Sequence, residues 1–213
     1  MSSPKKFVTS PDDHVTHRVS PNDPTMRAFL FIVLLGAAPI AICQQPVVEK
    51  PSPAATHNLG SDVLAFSQAR LGRKVGGGEC AHLAVEALKS AGAGGRRPDA
   101  PNAGDYVWGE LVAYLPANLP KDAAAKLLTK VQPGDVIQLR NTRFEGKRPG
   151  RGTYWTSAAH HTTLVERVDA AAGVLHILHQ NWNGARYVMR GEHKISDLKQ
   201  GWLRIYRPVP VVR

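Results

Sequence analysis

Read from the N-terminus, the chain passes through distinct regimes of hydrophobic patterning. Residues 1–25 are polar, punctuated by Pro4, Pro11, Pro21 and Pro24, and have no apolar period, so they are expected to be disordered. Met26-Arg27 then introduces the uncharged run Ala28–Ile42, and a stretch rich in proline and small residues occupies 44–60. From Ser61 the apolar positions become periodic. Val63, Leu64, Phe66, Ala69 and Leu71 recur at helical spacing, with Ser61 as the expected cap and a stop near Gly72. After Gly76-Gly77-Gly78, the segment 79–91 repeats the helical rhythm through Leu83, Ala84, Ala87 and Leu88 and stops at Gly92.

Beyond the second helix the period changes from helical to alternating. A small helix is predicted over 121–130, and Pro133-Gly134-Asp135 is a turn signal that launches a strand over 136–140. The region 141–159 reads as a long basic loop, with Arg143, Lys147, Arg148 and Arg151. Strand-like runs follow at 161–168, 174–181, 186–190 and 202–207. Two helices followed by consecutive strands predict an α+β fold, with N-terminal helices packed on an antiparallel β-sheet, over residues 61–210.

Composition narrows the class only partly. The 213 residues are 43% hydrophobic, as in ordinary globular proteins, and Lys+Arg exceed Asp+Glu by 27 to 17, a formal net charge of +10. The excess favours an anionic partner without saying which. The run 28–42 is short for a membrane span of about 20 residues but suits the apolar core of a secretory signal, assigned to 26–43. The expected localisation is therefore secreted or periplasmic, with a single N-terminal membrane anchor as the alternative. Cys43 and Cys80 are the only two cysteines, and no CxxC pair is present. Cleavage after Cys43 would leave one thiol in an oxidising compartment, where it is either buried or used.

Cys80 stands in the first turn of a predicted helix, directly after three glycines. Unpaired N–H groups there favour a thiolate and could stabilise an oxyanion, while the adjacent Glu79 opposes the negative charge. A histidine on a neighbouring strand would complete a nucleophile–base pair. Candidates are His160 and His161 at a strand start, and His179, which shares a strand face with Asn181. Zinc is the rival use of Cys80, His160, His161 and His179, but none of these residues has close metal-site spacing.

Gly78-Glu79-Cys80, Pro133–Val136, His161–Glu166, Leu178–Gly184 and Ile205–Pro208 resemble, in order and approximate spacing, the blocks of the CHAP domain, the cysteine, histidine-dependent amidohydrolase/peptidase family. The resemblance implies a papain-like fold with Cys80 as nucleophile, His161 as general base and Asn181 as the orienting amide. His179 stands where many members carry glutamate, and Glu79 where glutamine commonly precedes the cysteine. Trp182, Trp155 and Tyr154 are expected to bind substrate; Trp108 is a weaker candidate. The resemblance further implies a monomeric peptidoglycan hydrolase without metal or organic cofactor. Its partner would be peptidoglycan or another anionic wall polymer, not nucleic acid, with membrane contact only through the signal segment. A non-catalytic wall-binding module and a cysteine hydrolase of another amide are the alternatives.

Overall fold

The computed structural model describes residues 58–98, 105–148, 150 and 152–211. The chain divides into units 1–50 and 51–213, and all the described residues lie in the second. The expected disordered terminus, the signal segment and nearly all of the linker fall outside the described residues. Among the described residues, no helix is long and apolar enough to cross a membrane.

The elements run α1 (Leu59–Gln68), α2 (Cys80–Ser90), β1 (Arg97–Pro98), β2 (Tyr106–Val107), β3 (Glu110–Pro116), α3 (Lys121–Leu128), β4 (Val136–Arg148), β5 (Gly152–Asp169), β6 (Val174–His179), β7 (Met189–Lys194) and β8 (Leu198–Arg207). Six strands form one antiparallel sheet in the order β3-β8-β4-β5-β6-β7, while β1 and β2 pair separately. Helix α1 starts earlier than its period suggested: Asn58, not Ser61, is the cap, and its side chain accepts the Ser61 N–H at 3.3 Å.

The largest departure from the sequence expectation is 141–159. Instead of a loop, β4 and β5 run on as a hairpin, paired from Val136↔Leu164 out to Arg148↔Gly152. Backbone pairing holds this arm, so its polar, glycine-containing sequence lacks the apolar alternation by which strands are recognised. The edge strand β3 and the start of β8 were likewise hidden, because their apolar residues are mixed with exposed ones.

Alternation along the strands builds two apolar layers. Val136, Leu164, Leu178 and Tyr206 face α1 and α2, packing against Val63, Leu83, Ala87 and Leu88. Ile137, Leu139, Val165, Ile177, Leu203 and Ile205 face the other way, against Ala124 and Leu128 of α3. Trp108 is fully buried in the first layer and donates its indole N–H to Gln138 at 3.0 Å, so it is a core residue. The sheet is thus covered on both faces, and its strand ends near Cys80 carry the candidate chemistry.

Candidate active site

Cys80 is the first residue of α2, and the loop before it explains the three glycines. Gly76 and Gly78 have positive φ. A Cβ on Gly77 would come within 2.8 Å of the His82 ring, and one on Gly78 would meet Lys74 and Arg186. The backbone therefore folds tightly over His82, whose Nδ1 accepts the Glu79 N–H at 3.4 Å. Gln180 fixes the same loop from the sheet side. Its amide accepts the Val75 N–H at 3.1 Å and donates to the carbonyls of Val75 and Glu79 at 3.0 and 2.7 Å.

The pairing of β5 with β6 begins at Leu164↔Leu178, leaving residues 161–163 without β6 partners. The half-buried thiol of Cys80 meets β5 in this gap, where the Thr162 N–H favours its ionised form. Burial nevertheless dominates and pushes the thiol above its ordinary value. The N–H groups of Thr162, Ala81 and Cys80 pull it down, and the Glu79 charge pushes it up. The lowering expected from the helix terminus is thus outweighed by desolvation.

His161 precedes Thr162 and is 3% exposed. It sits opposite Leu139, on the sheet face away from α1 and α2. Its Nε2 meets Nδ1 of His179 at 3.1 Å. Burial, reinforced by the His179 charge, pushes His161 down to about 3, and burial takes His179 to about 4. At neutral pH the thiol is therefore protonated and both imidazoles are uncharged.

The expected partnership of Asn181 with His161 takes another form. Asn181, at φ 59°, donates its amide to Glu79 at 2.7 Å, and His179 supplies the hydrogen bond to His161. Arg186 donates to the other Glu79 oxygen and to the Gly77 carbonyl at 3.0 Å. Trp182 lies beside both imidazoles, with ring centroids 4.9 Å from His161 and 5.6 Å from His179.

The remaining aromatics separate. Tyr154 turns inward and donates its hydroxyl to Asp197 at 2.9 Å. Trp155, 64% exposed, points to the opposite side of the hairpin, with Arg143 over its ring. His160 faces away from His161 and forms a cluster with Arg140 and Asp105. Among the described residues, no group of three His, Cys, Asp or Glu could hold a metal ion. Sequence reasoning missed Arg186, Gln180 and the burial of His193, although Gln180 lies inside a recognised block.

A cysteine at the start of a helix, docked on the strand backbone one residue from a buried histidine, suits the layout of the cysteine-proteinase fold, here α+β with a mostly antiparallel sheet. Residues 45–212 match the AIM3/BBC1 cysteine proteinase-fold domain, and the chain belongs to that family. The papain-like expectation holds at the level of the fold, whereas the matching family is AIM3/BBC1 and not CHAP itself. No curated protein matches the chain. Two structures of Ly7917, one with the hydrolyzing product of MDP, are similar at 23% identity and a TM-score of 0.40, over 70% of this chain. The matched region spans 62% of their length. A likeness of that degree transfers no activity.

Proposed function

We propose that this protein is a cysteine amidohydrolase or peptidase of CHAP type that cleaves an amide bond in peptidoglycan after export. The observation that carries the reading is the juxtaposition of Cys80, at the N-terminus of α2, with the β5 backbone next to a His161 whose Nε2 is held by His179. The five sequence blocks support the choice of peptidoglycan, as does the basic balance of the chain.

In this mechanism His161 takes the thiol proton as Sγ attacks the amide carbonyl, because the free site holds a neutral pair and not an ion pair. The N–H groups at the start of α2 face the developing oxyanion. The imidazolium passes its proton to the departing amine as the C–N bond breaks, leaving a thioester. Water, deprotonated by His161, attacks the thioester and releases the acid and the thiol. His179 keeps His161 oriented and accepts or donates one hydrogen bond, but as a neutral ring it stabilises the transient imidazolium less than a carboxylate would.

Purified protein incubated with peptidoglycan, with products sized by mass spectrometry, tests this. Cys80→Ala is expected to reduce the rate by about 10⁴-fold or more. Unchanged turbidity loss in that variant would sink the cysteine mechanism, and sedimentation with sacculi without any cleavage would favour a binding module.

A further inference from the structure

A cavity of about 420 Å³ opens on the sheet face away from α1 and α2, beginning where His179 and Trp182 end. Its walls are Phe144 and Tyr154 of the hairpin arm, Ile177 of β6, Met189 of β7 and the Trp182 ring. That volume suits one amino-acid-sized group. It is bordered by His179, the hydrogen-bond partner of His161 Nε2, and by Trp182.

Three observations define what fits. First, Arg190 and Glu192 border the cavity from the edge strand β7, where strand alternation sets them on the face opposite Met189, Gly191 and His193. Arg190 is held by both oxygens of Glu166 at 2.9 and 3.0 Å. Second, Gly191 is absent from the positive-φ residues, so its missing side chain serves space, not backbone geometry. A Cβ there would come within 3.1 Å of His179 Nε2 and 3.5 Å of Ile177. Third, His193 at the cavity base is 6% exposed and stacks on Phe144 with centroids 5.0 Å apart, yet its Nε2 has no hydrogen-bond partner. A buried unpartnered nitrogen costs free energy unless something meets it.

We infer that this cavity is a specificity subsite for an uncharged substrate side chain that is apolar along its length and ends in an amide, with His193 as the residue that recognises the end. An amide carries both donor and acceptor and so satisfies either tautomer of the ring. Burial pushes His193 down to about 3, which keeps the ring neutral and disfavours both carboxylate and ammonium guests. Calling the occupant a substrate rests on the hydrolase reading above; the recognition chemistry does not.

The test uses the full chain with Cys80→Ala, so that no turnover occurs, labelled at the methionine methyl groups. Met189 is the methionine within the cavity wall, and its methyl resonance reports occupancy. The probes are N-acetyl-glutaminamide, N-acetyl-leucinamide, and the corresponding glutamate and lysine amides. Saturable shifts are expected with the glutamine probe, weaker ones with leucine, and none with the charged pair. His193→Phe, checked for folding by circular dichroism, is expected to reduce the glutamine-over-leucine preference by about tenfold. Absence of any saturable shift, equal binding of glutamate and glutamine, or an unaltered preference in His193→Phe would each overturn the inference. Peptidoglycan cleavage by the unmutated chain is measured separately, so binding without cleavage defeats the hydrolase reading alone, and cleavage without binding defeats the subsite alone.

Discussion

Replacing Glu79 with glutamine removes the negative charge that raises the Cys80 thiol, and iodoacetamide alkylation followed against pH should show its midpoint falling. Arg186→Ala should act in the opposite sense, because the Glu79 carboxylate loses its guanidinium partner. In a Glu79→Gln background the Arg186 effect should vanish; its persistence would show that Arg186 acts on the thiol by another route. The neighbouring histidines offer a second comparison. His179→Glu places an anion against His161 Nε2, so the His161 ring, now near 3, should titrate closer to its ordinary range in an NMR pH series. At this scale the sequence made Cys80, His161, His179 and Trp182 visible, because their types and order suffice to mark them. It did not reveal that Asn181 serves Glu79 while His179 serves His161, since two residues on one strand end differ only in what the fold sets opposite them.

The elements depend on a few places where the backbone is forced. Gly201 in β8, at φ +74°, lies where the register with β4 shifts, and a Cβ there would come within 2.2 Å of the Arg140 carbonyl oxygen. Gly201→Ala should therefore cost about 2 kcal/mol or more in urea denaturation, combining left-handed strain with a backbone clash. Trp155→Ala, on the exposed side of the arm, should change stability by less than about 0.5 kcal/mol, which separates the arm's outward face from its load on the core. The two leading helices were legible from their apolar period and glycine stops. The β4–β5 arm was not, because a hairpin held by its ladder can carry Arg143, Lys147 and glycines without an alternating pattern.

For the molecule as a whole, the buried imidazoles link fold stability to pH. His161 and His193 are lowered to about 3 and His179 to about 4 in the folded protein, while the unfolded chain titrates near 6.5. Below 6.5 the unfolded chain takes up protons that the folded protein refuses. The stability that neutral rings contribute is complete above 6.5 and is lost as pH falls toward 4 and then 3. Urea midpoints should decline over that window, and His193→Phe should flatten the decline by removing one of the three groups.

What the sequence determined by itself was the order of helices and strands and the residue types able to do cysteine chemistry, because periodicity and local glycine breaks act over a few neighbouring residues. Only the tertiary structure decided that the thiol would be raised by burial, that β6 would leave a gap for it, and that a polar-looking connection would bury His193 at the base of a cavity. Desolvation and cross-strand register depend on atoms distant in sequence, and no local pattern encodes them.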